Sequence, residues 1–407
     1  MKHFLLLITT ILLLTACQHD DEPSNIPIHP MRRTVFVYMS AENNLSSPYP
    51  QNDINEMITG RKLVDDDCDL LIYVDRASQR EMPFIARISD AVDTLYKYPA
   101  DFYSSAPDHF QEVLQRMVSL SPHAQDYGLV LWGHANGWVL ENDGETVRRA
   151  YGVDNGDNSS ASYTPSAKWL NIPSMAKALA RLGVRWKFIF CDCCNMLNAE
   201  VAYELRNATE YLIASPAEIT GDGAPYDTMV KDFFIDDDEQ MGIKICEDYN
   251  AQYDFMNGHL PISVVNMSRM QALADATRQI LPEIADYLKT TNPTKGIIYY
   301  YAYDRDDEKE KTMYDMNDMI RTALTNEPEK YQAWKEVLSQ TVSYTIASTR
   351  WHANTIYFSD FTITDDKYGG ISMFFPLAKY NEASHPYNED IKHMQWYQAV
   401  GWPSVGW

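Results

Sequence analysis

Residues 186–206 read WKFIFCDCCNMLNAEVAYELR. The first six, Trp186 to Cys191, are a β-favouring run, apolar but for Lys187, the pattern of a strand buried on both faces. Asp192-Cys193-Cys194 follows, and then Asn195 to Arg206 carries the spacing of a helix. The same grammar runs upstream and downstream. Arg33 to Ser40, Asp69 to Val74, Gly128 to Trp132 and Tyr211 to Ser215 read as four more buried strands. Between them lie a short helix from Asp53 to Gly60, and another from Pro107 to Leu120 whose Phe110, Val113, Leu114 and Met117 share one face. A third runs from Asn171 to Leu182, with Asn171 as cap, Pro173 in the first turn and Gly183 closing it. Short continuous strands alternating with helices predict an α/β fold, a mostly parallel sheet with helices on both faces.

Strand ends are where such sheets hold ligands. Strand three ends in Gly133-His134-Ala135-Asn136-Gly137 and strand four in Asp192-Cys193-Cys194. If the two strands are neighbours, an imidazole and a thiol meet at one edge. A thiolate is the reactive form, favoured beside an imidazolium and at a helix N-terminus, where a helix starting near Asn195 would place Cys194. His134 can take and return the proton. The backbone N–H groups of Ala135 and Cys194 are natural oxyanion donors.

The chain has 407 residues, 34 Lys and Arg against 57 Asp and Glu, and a net charge of −23. That balance excludes a nucleic-acid binder, which needs clustered cations, and favours cationic partners. No glycine-rich phosphate loop follows any strand, so nucleotide binding has no support. Residues 1–16 read as a lipoprotein signal peptide. Lys2 precedes an apolar run from Phe4 to Leu14, too short for the ~20 residues of a membrane span. The run ends in Leu14-Thr15-Ala16-Cys17, similar to a bacterial lipobox, so Cys17 is the expected lipid acceptor and a lipid bilayer an expected partner. The acidic Gln18-His19-Asp20-Asp21-Glu22 is similar to an export tag of surface lipoproteins. The expected location is thus the outer membrane or cell surface, lipid-anchored, and residues 17–31 form a Pro-containing tether. Five other cysteines remain, Cys68, Cys191, Cys193, Cys194 and Cys246, an odd number that leaves a thiol unpaired.

Ordered landmarks give a more specific reading. Val37-Tyr38 leads to Asn43-Asn44-Leu45, with Glu42 where the resembling segment has Asp. Asp53-Ile54-Asn55-Glu56-Met57, Trp132-Gly133-His134, Asp192-Cys193-Cys194 with Met196, Glu200-Val201-Ala202-Tyr203-Glu204-Leu205, and Ala214-Ser215 through Gly223, Pro225 and Tyr226 follow in order. Together they resemble the clostripain family of cysteine peptidases, which have the caspase-like fold. The resemblance covers most of residues 33–235 and, more weakly, 340–407.

The resemblance implies a peptidase core over 32–235, with Cys194 as nucleophile and His134 as its base. Asp192 would lie at the floor of the pocket for a basic P1 side chain, with Ser215, Gly223 and Tyr226 binding substrate. Self-cleavage falls between histidine and cysteine, where Arg149 of Arg148-Arg149-Ala150 is the expected site. No cofactor is required, although calcium serves some relatives. The expected function is a lipid-anchored cysteine endopeptidase cutting peptide or protein substrates after Arg or Lys.

Three departures support a second reading, an impaired peptidase-fold lipoprotein that only binds peptides. Ala135 stands where the family has Gly, Asn195 where it has Leu, and Cys193 where it has Ala. A metal site from Cys191, Cys193, Cys194 and His134 fits poorly, because structural zinc usually takes ligand pairs from two segments.

Beyond the core, residues 236–345 read as mainly helical, for instance at Ile280, Leu281, Ile284 and Leu288. Residues 346–407 return to a β-rich pattern whose Gly369 to Pro376 would add a strand to the main sheet. Trp396, Tyr397, Trp402 and Trp407 would pack back on the core.

Overall fold

The computed structural model describes residues 30–78, 80–140, 150–156, 158–162, 164–254, 260–302, 307–354, 357–383 and 386–407. Cys17, the signal and Arg149 lie outside the described residues. The first half runs β1 (Met31–Ala41), α1 (Tyr49–Arg61), β2 (Cys68–Arg76), β3 (Phe84–Ile88), β4 (Val92–Lys97), α2 (Pro107–Leu120), β5 (Ala124–Gly133), β6 (Tyr151–Asp154), β7 (Lys168–Leu170), α3 (Ile172–Arg181), β8 (Trp186–Asp192), α4 (Ala199–Leu205) and β9 (Thr209–Ala214). There follow α5 (Tyr226–Met229), α6 (Asp238–Asp254), β10 (Ile262–Asn266), α7 (Met270–Gln279), α8 (Leu281–Leu288), β11 (Tyr299–Ala302), β12 (Lys311–Asp315), α9 (Met316–Ala323), α10 (Pro328–Thr341) and β13 (Val342–Ile346). The chain closes with β14 (Arg350–Asn354), β15 (Tyr357–Asp360), β16 (Ser372–Met373), α11 (Tyr387–Asp390) and α12 (Gln395–Val400).

Among the described residues, nine strands form one sheet in the order β13-β10-β9-β8-β5-β1-β2-β3-β4. Its five central strands, β9-β8-β5-β1-β2, are parallel, and both flanks are antiparallel. Strand alternation feeds two cores. Phe36 and Tyr38 of β1 pack on one face with α2, α3, α4 and α7, while Val35, Val37 and Met39 pack on the other with α1, α5 and α6. Burial on both faces explains why the central strands are continuous apolar runs rather than alternating ones.

Close packing between β5 and β8 leaves no room at Gly128. A Cβ there would lie 2.4 Å from Phe188 Cζ, in a ring that is itself stacked on Phe233. Gly128→Ala is therefore expected to lower stability by about 1–3 kcal/mol. A urea titration should show a lower midpoint with an unchanged m-value.

Among the described residues, 236–345 are mainly helical as expected, with five α-helices, and they also supply β10 to β13, of which β10 and β13 extend the main sheet. The run Ile262–Asn266 (ISVVN) is β-branched and apolar, which is why it pairs with β9 instead of coiling. Two expectations need correction. Gly369 to Pro376 adds no strand to the main sheet, touching it through the Gly370 carbonyl, which accepts from Ser263 Oγ at 2.8 Å. Its β16 pairs with β12 in a separate sheet of β11-β12-β16. The helix expected from Asn195 starts at Ala199, capped by Asn198, whose Oδ1 accepts from Val201 N–H at 2.9 Å. Asn195 takes φ +57°, which ends any helical path there; Asn tolerates that region better than most residues. The aromatic tail packs inward as expected: Trp396, Tyr397 and Trp402 are buried, and Trp407 is partly so.

Candidate active site

Parallel pairing brings the two chemical strand ends together. In the register of β5 on β8, Trp132 faces Asp192. His134 and Cys194 each lie two residues beyond that rung, on strands ~4.8 Å apart. Both line one cavity of about 390 Å³, whose wall also includes Trp132, Ala135, Trp169, Asp192, Glu218 to Gly221, Gly223 and His352.

Cys194 is the one cysteine among the described residues that is not fully buried. Its Sγ accepts from Ile219 N–H at 3.4 Å. Because α4 starts five residues later, the sulfur does not sit at a helix N-terminus, and the Ile219 amide is a donor that meets it. Cys193 points into the apolar core, where burial pushes its thiol well above the ordinary range. Both cysteines carry free thiols in the structure.

His134 Nε2 lies 2.9 Å from Asn44 Oδ1. With the amide oxygen accepting from Nε2–H, the matching tautomer leaves Nδ1 as the basic nitrogen. Asn44 sits just beyond β1, so the neighbouring strand end orients the imidazole.

The chain around His134 is pinned on both sides. Asn136 N–H donates to Ala150 O at 2.8 Å and Gly152 N–H to His134 O at 2.7 Å, which forms a bridge between Ala135 and Tyr151. The bridge uses the amides flanking Ala135, so the Ala135 N–H points away from that partner strand. Positive φ falls on Gly133 and Gly137 and not on Ala135, so the methyl group of Ala135 costs no backbone strain.

Asp192 forms the acidic wall. It is 3% exposed. Its Oδ2 accepts from Tyr226 Oη at 2.8 Å and Ala224 N–H at 3.1 Å, and its Oδ1 from Tyr249 Oη at 2.7 Å. Burial raises its pKa against the opposing pull of these bonds. Gly223, at φ +63°, keeps the approach open, since a Cβ there would sit 2.9 Å from Asp192 Oδ2. Behind lies Asp53, which accepts from Trp132 Nε1 at 2.6 Å and is pushed up to about 9 by burial and then by the charge of Asp192.

Of the expected substrate residues, Asp192 and Gly223 line the cavity. Tyr226 stands behind Asp192 and acts on it through its hydroxyl. Ser215 is not in the lining. It is fully buried, its Oγ accepting from Ala217 N–H and its carbonyl from Leu197 N–H, so it shapes the turn after β9. The sequence does not show the contacts of Asn44 and Tyr249 with the site or the place of His352 in its wall. Tyr249 and His352 come from α6 and β14, far along the chain, and no local pattern marks either.

A model of the clostripain family matches residues 37–407. No curated protein matches significantly. Among solved structures, a secreted C11 cysteine protease from Bacteroides thetaiotaomicron, in complex with an irreversible peptide inhibitor, is similar at 27% identity and TM-score 0.74, covering 91% of this chain and 99% of that one. An inactive zymogen C11 protease from Parabacteroides distasonis shares the fold at 24% identity and TM-score 0.73, covering 92% and 99%. Among the described residues, no helix is long and apolar enough to cross a membrane.

Proposed function

The chain belongs to the clostripain family and is a cysteine-type peptidase, and from that premise we propose a lipid-anchored endopeptidase that cleaves after Arg and Lys through His134 and Cys194. The observation that carries the specificity is Asp192, a buried carboxylate on the wall of the cavity that also holds Cys194. A buried charge wants a partner of opposite sign, and a basic P1 side chain brings one.

In this reading His134 takes the Cys194 thiol proton, and the thiolate attacks the carbonyl carbon of the P1 residue. The N–H groups of Ala135 and Cys194 receive the oxyanion. The C–N bond breaks as His134 returns the proton to the leaving amine, leaving a thioester on Cys194. Water, deprotonated by His134, then adds to the thioester and releases the acid and the thiol. Fluorogenic peptides with Arg, Lys, Asp or Ala at P1 test the proposal: turnover should be confined to Arg and Lys. No turnover of any of them, under reducing conditions and with calcium added, would favour the peptide-binding reading instead.

Asn44 is a positioning residue here. Asn44→Ala is expected to lower kcat/KM by about 10- to 100-fold and to shift its pH profile, because the ring loses the acceptor that selects its tautomer. Asn44→Asp, which keeps an acceptor, should recover part of the rate. A variant with normal pH dependence and rate would remove Asn44 from the site.

Self-cleavage is proposed after Arg149. Support comes from the residue that follows: Ala150 is buried, and its carbonyl accepts from the N–H of Asn136, two residues beyond His134. Mass spectrometry of the purified chain should find a cut after Arg149 in the native protein and none in Cys194→Ala. Lipid attachment at Cys17 is checked by labelling cells with a radioactive fatty acid, which should mark the native chain and not Cys17→Ala.

A further inference from the structure

The chain carries a net charge of −23, yet one cavity inverts that sign locally. Its volume is about 910 Å³, within the ~300–1,000 Å³ range of small-molecule sites. β11 and β12 supply Tyr299, Lys311 and Tyr314 to its wall, the stretch after α8 supplies Lys289 and Lys295, and the segment after β16 supplies Lys379. Among the described residues, the one carboxylate set against these four lysines in the wall is Glu308. The cavity shares no lining residue with the one that holds His134 and Cys194.

Two of the lysines already have counter-charges. Lys311 pairs with Glu308, and Lys289 with Asp286 at 2.9 Å. Lys295 and Lys379 pair with no carboxylate among the described residues. Lys379 is partly buried. Its Nζ donates to Tyr314 Oη at 3.0 Å and lies 5.4 Å and 5.1 Å from the ring centres of Tyr314 and Tyr380. Burial pushes its ammonium down to about 8, against the pull of Glu308 and Asp307. An ammonium drawn into such surroundings gains from an anion placed beside it.

The rest of the wall is largely aromatic. Tyr299, Tyr314, Phe361 and Trp407 line it, and Tyr299 meets Phe361 edge to face with ring centres 5.4 Å apart. Such rings offer broad, stiff surfaces that suit a planar apolar body. A bare inorganic anion would leave that surface wet.

We propose that this cavity binds a small organic anion with a flat apolar body, an aromatic carboxylate or sulfonate. Lys379 and Lys295 supply the counter-charge, and the four rings receive the body. Lysine acts as a point charge with rotatable donors, so either head group is accepted.

Calorimetric titration with anilinonaphthalene sulfonate tests this, on full-length protein carrying Cys194→Ala so that the chain cannot digest itself. One site per chain is expected, with a Kd of about 10–100 µM for a ligand of that size. Naphthoate should compete for it, and inorganic phosphate at the same concentration should not. Phenylnaphthylamine, the same ring system without the sulfonate, should bind about 10-fold more weakly or worse. Lys379→Met removes the charge and keeps the stem. It should weaken sulfonate binding about 10- to 100-fold and leave phenylnaphthylamine binding unchanged. Lys295→Met, at an exposed position, carries the same comparison if the first variant loses its fold. Ala378→Trp puts an indole into the wall and should abolish binding of both dyes. No saturable site in the parent protein would overturn the proposal. So would unchanged affinity in both lysine variants, equal affinity for the uncharged amine, or displacement by phosphate. Binding untouched by Ala378→Trp would place the dye elsewhere and overturn it too. Because binding is read without turnover, at a cavity apart from His134, failure here is separate from failure of the peptidase reading.

Discussion

Cys194→Ala is expected to lower kcat/KM toward Arg and Lys peptides by about 10⁴-fold or more, the scale seen when the nucleophile of a catalytic set is removed. Alanine has no group that can form the thioester, and the remaining donors cannot replace that step. Folding should barely change, because the Cys194 side chain sits at a cavity wall and not in a core cluster. Cys193→Ala provides the contrast. Its thiol lies in the apolar core and is held protonated by burial, so its loss should cost stability through a small void while rates stay within a few-fold. Activity lost in Cys193→Ala and kept in Cys194→Ala would exchange the two assignments. Steady-state kinetics of both variants, each with a thermal melt, separates catalysis from folding.

The central sheet was legible because its strands are buried on both faces, which leaves a continuous apolar run that needs no partner to be recognised. All five parallel strands appear where those runs are, and α2 spans Pro107–Leu120 as its apolar spacing indicates. The flanking strands were not legible. β4, Val92–Lys97, is mostly exposed and carries Asp93 and Lys97, so its pattern resembles a loop. The same physics divides the site. His134, Asp192 and Cys194 sit at strand ends, where a break from apolar to polar is visible in one dimension. Asn44 and Tyr249 act through contacts that only the folded chain creates. The Asn195 helix start failed for a local reason: an αL residue and a competing Asn198 cap moved the first turn downstream.

Asp192→Asn should change selectivity more than it changes the chemistry. Truncating one partner of a buried, hydrogen-bonded charge pair costs about 2–5 kcal/mol, or roughly 30- to 4,000-fold. The kcat/KM for Arg and Lys substrates should fall by that factor, with Ala substrates little affected. Asparagine keeps the shape and still accepts from one tyrosine through its Oδ1, while its NH₂ group donates to the hydroxyl oxygen of the other, so the geometry of the wall is kept as the charge is lost. The pH dependence gives an independent check. Burial raises the Asp192 carboxyl above its usual range, and only the ionised form attracts a basic P1 group. As pH falls through that raised value the carboxylate is neutralised, so kcat/KM for Arg substrates should drop faster than for Ala substrates. In Asp192→Asn the two profiles should run parallel. Selectivity for Arg retained in the variant would move the specificity to another acidic group on the wall, with Glu218, which also lines the cavity, as the first to test.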